Sequence, residues 1–386
     1  MNVLIVPSWY PNELNNVVGS FFKEQAECIA RKGINVTVFA INILSPISVI
    51  KQPLKCKLFK LNHFYENNVN TYIVNVCSFG LNRINLFYKI YLALFKYYFN
   101  TVNKELDRID IVHAHSYKYA GIACCKIIKD IPIIITEHSS AIHMGRLSIK
   151  DIDYLRFVLK TASRFICVSK ALKNKVLELT KLNKGIIVIP NMVSNVFSYH
   201  KSVELARKKK FVFLSISNLI KLKKVDILIK SFWLAFKNYE DVILKIAGQG
   251  SEEKRIKELI KELHLENRVK MLGQLNRTDI INAYNDSNVF IMVSESETFG
   301  VVYVESLMCG LPTIGTRNGG AEDILNCYGG YLCGVNDVED ISSKMLNAFY
   351  NYDKIDRFKI HNDAFRRFSE SNVTDDIINV YTETIK

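Results

Sequence analysis

The chain has 386 residues, of which 49% are apolar and 23% charged, ordinary globular usage that excludes a disordered, collagen-like or coiled-coil protein. One hydrophobic core does not grow to that length, so two domains of roughly 190 residues each are expected. Nine cysteines without a C-x-x-C pair exclude a disulfide scaffold and a zinc module, and they fit a reducing compartment.

The formal net charge is +13, and residues 1–195 hold all of it, with 25 Lys and Arg against 12 Asp and Glu; residues 196–386 hold 26 against 26. An excess on one half suggests an anionic partner, such as a phospholipid surface or a phosphorylated acceptor. No nucleic-acid-binding motif accompanies it, so nucleic acid is not expected as a partner.

In chain order, the first strand is expected at 2–6, where Val3-Leu4-Ile5-Val6 stops at Pro7, too short and too uncharged an opening for a signal peptide. A polar loop from Ser8 to Val18 follows, then Gly19 and a helix from about Phe21 to Lys32 ended by Gly33. Strands are expected at 35–41, 70–76, 111–115, 131–137, 164–169 and 186–190. Between the third and fourth lies Ile84 to Phe99, apolar and aromatic with Lys89 and Lys96 inside, short of the ~20 residues a spanning helix needs. Two readings of residues 84–106 stay open. Phe87, Tyr88, Tyr91, Phe95, Tyr98 and Phe99 could lie in an anionic lipid interface, or form a buried helix whose lysines point outward.

The divide between domains is expected after residue 195, within a polar, basic stretch at 191–209. Second-half strands fall at 211–217, 242–247, 268–272, 289–293 and 311–315. A helix over about 370–386 comes after the second sheet is complete and is expected to pack back on the first domain. Alternating strands and helices in both halves imply parallel sheets, that is, two Rossmann-like α/β domains. Such sheets bind ligands beyond the carboxyl ends of their strands. A dinucleotide dehydrogenase would carry G-x-G-x-x-G after its first strand, where this chain has Pro7-Ser8-Trp9-Tyr10-Pro11.

After the strand at 289–293 comes Ser294-Glu295-Ser296-Glu297-Thr298-Phe299-Gly300, then a helical segment from Val301 to Met308. Glu297 and Glu305 are eight residues apart, ~12 Å if both lie on a helix, a span that lets one ligand touch both. Between them the backbone N–H groups of Phe299, Gly300 and Val301 sit at a helix start, where free donors and the dipole favour phosphate oxygens.

The run S-E-S-E-T-F-G-V-V-Y-V-E-S-L-M-C-G-L-P-T-I-G-T-R-N-G-G-A-E-D-I resembles the signature of the retaining, nucleotide-sugar-dependent glycosyltransferases of family 4. That resemblance implies the GT-B fold, two facing Rossmann-like domains with a cleft between them. It places Glu297 by the donor sugar hydroxyls and Glu305 on the nucleotide ribose. Ser217 to Asp226 resembles the family's G-R-L-x-x-x-K-G-x-D loop, whose basic residues neutralise the diphosphate. Lys223 takes the lysine position, whereas Asn218 replaces the arginine and Lys224 the glycine, with Lys221 or Lys224 as a substitute base. Ala247-Gly248-Gln249-Gly250 and Leu272-Gly273 match segments bordering the nucleotide.

In the first domain the resemblance sets Gly19 against the donor phosphate and acceptor, and His138 near the sugar and β-phosphate. His113 and His115 share a strand face, and the choice between them stays open. Glu137 is expected to point away from His138 as a structural carboxylate. Glu322 and Asp323 are expected to hold a loop or helix start. Asp151-Ile152-Asp153 has the spacing of a metal-binding D-x-D but opens a helix, so no metal and no cofactor are expected.

The expected activity is transfer of a glycosyl group from a nucleoside diphosphate sugar to a hydroxyl of a glycan acceptor, such as a polyprenyl-diphosphate-linked sugar, in surface polysaccharide synthesis. The expected location is cytoplasmic, peripheral at the inner face of the plasma membrane. The alternatives are a nucleotide-sugar 2-epimerase of the same fold and a catalytically silent nucleotide-sugar-binding protein, the latter prompted by Asn218.

Overall fold

Runs of branched apolar residues form strands buried on both faces, the pattern of parallel sheets covered by helices. The computed structural model describes residues 1–14, 18–78, 85–182, 184–199 and 210–386, apart from the side chains of Leu54 and Asn85. The expected loop at 8–18 and divide at 191–209 therefore lie partly outside the described residues, as does Ile84.

The chain separates into two units: Met1–Val168, Lys173–Ile189 and Val373–Lys386 form one, Ser169–Leu172 and Pro190–Asn372 the other. The division falls at Ile189, ahead of the expected residue 195. The last helix, Glu370–Ile385, runs into the first unit, where Tyr381 is buried and Asp375 pairs with Lys32 at 2.7 Å.

The sheet of the first unit contains β1 (Asn2–Pro7), β2 (Asn35–Leu44), β3 (Leu61–Glu66), β4 (Val69–Cys77), β5 (Ile111–His115), β6 (Ile133–Glu137), β7 (Arg164–Cys167) and β8 (Ile186–Val188), in the order β3-β4-β2-β1-β5-β6-β7-β8. Every pairing is parallel except β3 with β4. β3 was not expected: LNHFYE is mostly exposed at the sheet edge, so it lacks the continuous apolar run that marks its neighbours.

The second unit has β9 (Phe211–Ile216), β10 (Val242–Ala247), β11 (Val269–Gly273), β12 (Val289–Met292), β13 (Thr313–Thr316) and β14 (Gly330–Cys333), all parallel in the order β11-β10-β9-β12-β13-β14. The edge strand β14, GYLC, is also beyond the expected set, being half-exposed, led by glycine and without a β-branched residue. Phe213, Leu244 and Ile291 from this sheet pack with Leu228, Phe232 and Phe236 of the helix Val225–Phe236, whose apolar residues recur at helical spacing.

The helix Asn85–Glu105 decides between the two readings of that segment. Phe87, Tyr91, Phe95, Tyr98 and Phe99 are buried, with Phe95 against Phe39 of β2, so the aromatic face is core and does not lie in lipid. Lys89 and Lys96 face outward on a strip with Leu86, Ile90 and Tyr97. Among the described residues no helix is long and apolar enough to cross a membrane.

Candidate active site

In the second unit the candidate residues cluster in the loops after β9, β10 and β12. Lys223 lies in a single helical turn, Lys221–Lys223, and its Nζ forms an ion pair with Glu297 from the loop after β12. Both side chains are more than four-fifths buried, at 18% and 14% exposure, so this pair escapes most of the solvent screening that weakens surface pairs. Beside it Lys224 Nζ pairs with Glu295 at 2.8 Å, and the Glu295 N–H donates to the Leu222 carbonyl at 2.8 Å. The two loops are therefore stitched together by charge and backbone alike.

Lys224 has φ 50°, a left-handed conformation that glycine adopts without strain. The turn that presents Lys223 is what demands glycine at this place, and here a lysine accepts the conformation while its ammonium gains Glu295. Asn218 is exposed and its carbonyl accepts the Ile220 N–H at 2.9 Å; Lys221 is exposed as well.

Glu297 does not lie on the helix. Its N–H donates to the Asn318 carbonyl at 3.1 Å and it bridges Gly319, while the helix begins only at Val301. The ~12 Å helical spacing expected between Glu297 and Glu305 therefore does not apply. Gly300 breaks the chain direction at φ 94°, and a Cβ there would sit 2.6 Å from the Tyr303 ring. Phe299 is buried against Phe368, which leaves its backbone as the part that can meet a ligand, and Val301 is exposed. The first intrahelical donor is the Tyr303 N–H, bonded to the Gly300 carbonyl at 3.0 Å, and the amides before it have the orientation of a helix start.

Glu305, half-buried on that helix, accepts from Tyr284 Oη at 2.9 Å. Burial and the Glu305 charge hold the Tyr284 phenol well above its ordinary pKa, so it stays a donor. Sequence reasoning missed Tyr284, since a lone tyrosine on the helix Arg277–Asn285 carries no spacing signal. It also missed Asn318 and Tyr303, which brace the glutamate loop: Asn318 Nδ2 donates to Tyr303 Oη at 3.0 Å, and Tyr303 Oη donates to the Met292 carbonyl at 2.9 Å.

The glycines after β10 do a packing job. A Cβ on Gly248 would stand 1.9 Å from the Ser217 carbonyl oxygen, and one on Gly250 2.3 Å from that of Leu219. The Leu219 N–H donates to the Gln249 carbonyl at 2.9 Å and the Gly248 N–H to that of Gly273 at 2.7 Å. Backbone thus lies on backbone from β9 to β11, with Leu272 half-buried and Gly273 exposed beside it. Glu322 accepts the Gly319 N–H at 2.8 Å, and Asp323 accepts that of Lys170, so both acids serve helix and loop ends.

In the first unit Gly19 caps the helix Ser20–Arg31 at φ 80°, with Trp9 O 2.9 Å from where a Cβ would be. His138 follows β6, and its Nε2 lies 3.2 Å from Nδ1 of His115 at the end of β5. His113 is occupied otherwise, at 2.6 Å from Tyr381 Oη and 2.7 Å from Thr136 Oγ1, so His115 is the member of the pair that reaches His138. Burial depresses both strand histidines, His113 to about 3 and His115 well below its ordinary value. Glu137 accepts N–H bonds from Tyr117, His138 and Ser139 at 2.7–2.8 Å, and burial raises its pKa to about 7; it shapes the loop that presents His138. Asp151 accepts from Ser148 at the start of the helix Ile149–Thr161, as helix-start acids do.

Two α/β units on mostly parallel sheets have the architecture of the GT-B fold of glycosyltransferases. Residues 18–195 match the model described as Glycosyltransferase Family 4, and residues 198–363 the model described as Glycosyl transferases group 1. The chain belongs to glycosyltransferase family 4. It is similar to the N-acetyl-alpha-D-glucosaminyl L-malate synthase of Bacillus anthracis, 29% identical over 63% of this chain and 66% of that one. The GPI3 subunit of the phosphatidylinositol N-acetylglucosaminyltransferase of Saccharomyces cerevisiae is 26% identical over 72% of this chain and 64% of its own length. The match thus spans about two thirds of the length of these curated relatives. Among solved structures, a sucrose-phosphate synthase of Thermosynechococcus elongatus aligns with a TM-score of 0.76 at 15% identity over 99% of both chains. The Anabaena protein HepE, in complex with UDP and glucose, aligns with a TM-score of 0.70 at 19% identity, also over 99% of both.

Proposed function

We propose that this transferase moves a sugar from a nucleoside diphosphate sugar to a hydroxyl of an acceptor and retains the anomeric configuration. The observation that carries this is the Lys223–Glu297 ion pair beside the start of the helix Val301–Met308. An ammonium for phosphate oxygens and a carboxylate for sugar hydroxyls are held together there, next to backbone amides that add positive potential. Breaking the sugar–diphosphate bond leaves negative charge on the diphosphate, and preorganised donors of this kind stabilise it by about 10²–10³ in rate. Lys223 and the amides fill the role a metal takes in other transferases. An ion-paired Glu297 suits holding hydroxyls better than attacking carbon, so retention is assigned to attack on the face the diphosphate leaves. Glu305, oriented by Tyr284, is assigned to the ribose, and Gly19 and His138 keep the roles given by the resemblance. Hexosyl donors carrying UDP are the first to test, since the HepE structure holds UDP and glucose.

A lipid-linked acceptor, such as a polyprenyl-diphosphate sugar, is supported by the basic first half and by the outward strip on the helix Asn85–Glu105. There Leu86, Ile90 and Tyr97 are 52%, 39% and 66% exposed beside Lys89 and Lys96. The protein would then act at the cytoplasmic face of the membrane in surface polysaccharide synthesis.

The test is incubation with UDP-, GDP- and ADP-sugars and lipid-linked acceptors, with the product anomer read by NMR. A retained anomer in a new glycoside is expected. An inverted anomer contradicts the mechanism, a changed sugar nucleotide without acceptor marks an epimerase, and binding without turnover marks a silent reader.

A further inference from the structure

At the amino ends of β1, β2 and β4 the first unit has a cavity of about 440 Å³, within the 300–1,000 Å³ of small-molecule sites. The candidate loops follow the opposite, carboxyl ends of the strands, and the six residues of β1 put about 20 Å between the two places. The opening has a plain cause. The helix Asn85–Glu105 covers this sheet face where Phe95 meets Phe39, but it stops before the strand starts are covered. Its last residue, Glu105, forms part of the lining and accepts from Tyr72 Oη at 2.8 Å.

Strand register decides what stands on the uncovered strip. Tyr65, Asn70 and Thr37 are direct partners across β3, β4 and β2, so their side chains share one face. Asn35, two residues before Thr37, is on that face too, with its partner Asn2 of β1. Further along β2 the same face is apolar, as at Phe39; beyond the helix it turns to amides and hydroxyls. These groups are held in place. Asn35 Nδ2 donates to Asn2 Oδ1 at 3.1 Å, and Asn70 Oδ1 lies 2.6 Å from Nε2 of His63, whose ring stacks on Tyr72 at 4.3 Å. Tyr65, 69% exposed, adds an uncovered ring to the lining.

Charge narrows the ligand. Residues 1–195 carry a net +13, yet the cavity sets Glu105 and Asp107 against Arg108 alone, and that guanidinium is engaged by Asp110 at 2.6 Å. An acidic lining repels phosphates and anionic lipid, so this is not a second sugar-nucleotide site. Two carboxylates beside four asparagine amides and a threonine hydroxyl favour a neutral polar ligand over a cation. Adjacent sugar hydroxyls, each a donor and an acceptor, match paired amides and carboxylates. The C–H face of a pyranose matches an uncovered aromatic ring.

We propose that this cavity binds a neutral saccharide unit of a glycan, at a site separate from the sugar-nucleotide loops. The link to a glycan rests on the reading of the chain as a sugar transferase. It also gives β3, the exposed strand without an apolar run, a task in presenting His63 and Tyr65.

The experiment is calorimetric titration of the full chain with maltotriose, cellotriose and triacetylchitotriose, with and without saturating UDP, and with inorganic phosphate and spermidine as controls. One or more of the trisaccharides is expected to bind at millimolar concentration or below, equally with and without UDP. Tyr65→Ala and Asp107→Ala, both at exposed positions, should each weaken that binding about 10-fold. Their melting temperatures and responses to sugar nucleotides should match the parent chain. Binding of no trisaccharide, displacement by UDP, unchanged binding in both variants, or tighter binding of phosphate or spermidine would each overturn the proposal. A parent chain that responds to no sugar nucleotide would remove the transferase reading, and the saccharide titration would still decide the cavity.

Discussion

The two units hold their candidate residues by different means. In the second unit, charged side chains of two sequence motifs are tied to one another across adjacent loops, as Lys223 is to Glu297, 74 positions on, and Lys224 to Glu295. In the first unit, His138 is held by a residue 23 positions away, and His113 beside it is held by Tyr381, 268 positions away. In the second unit each loop is a local pattern of its own, so its residues can be named one loop at a time. A site built from strand ends and a returning terminal helix cannot be read that way.

That contrast breaks first at the ion pair. Lys223→Ala and Glu297→Ala should each reduce sugar transfer by about 10²–10³-fold, and the double variant should lose little more than either single one, since each removal already leaves a buried charge unpaired. Additive losses in steady-state kinetics would show that the two act separately. Next comes loop packing. Gly248→Ala pushes a methyl into the Ser217 carbonyl at a φ of 130° and should cost about 1–3 kcal/mol in denaturant unfolding; an unchanged midpoint would mean that the loops are not packed as described. Tyr284→Phe removes the donor to Glu305 and should weaken sugar-nucleotide binding about 10-fold by calorimetry, with the fold intact.

Two smaller effects sharpen the first unit. His113, depressed to about 3 from 6.5 by burial, takes a proton far more readily when unfolded. Its contribution to stability is therefore complete above pH 6.5 and is lost as pH falls below that value. Glu137, raised from 4.5 to about 7, works the other way, losing stability as pH rises through that window. Relative to the parent chain, the slope of unfolding free energy against pH should become less positive below pH 6.5 in His113→Asn and less negative between pH 4.5 and 7 in Glu137→Gln. Last, replacing Lys89 and Lys96 by Glu should reduce sedimentation with anionic vesicles at low salt, at about 1 kcal/mol per lysine; unaltered sedimentation would remove the helix strip from the membrane proposal.

Much of the fold was legible because buried parallel strands are continuous apolar runs. The exceptions have physical causes: β3 sits exposed at an antiparallel edge, and β14 is a half-exposed edge strand with no β-branched residue. The aromatic residues of the helix Asn85–Glu105 misled in one of two readings, since core and lipid interface draw on the same side chains. In the site, Lys223 and Glu297 could be named from their motifs, but their direct contact could not. Glu305 was legible and its partner Tyr284 was not, because one hydroxyl contact between two helices leaves no trace in spacing. The choice between His113 and His115 needed Tyr381, a residue beyond the second sheet.

The central claim is that the loops of the second unit bind a sugar nucleotide through Lys223, Glu297 and Glu305, and ligand-dependent melting tests it most directly, since binding to the native state alone must raise the melting temperature. With the parent chain and a panel of UDP-, GDP- and ADP-sugars, one nucleotide class is expected to raise it, and Lys223→Ala and Glu305→Ala are each expected to abolish the rise. No rise with any sugar nucleotide, or the same rise in all three proteins, would contradict the claim.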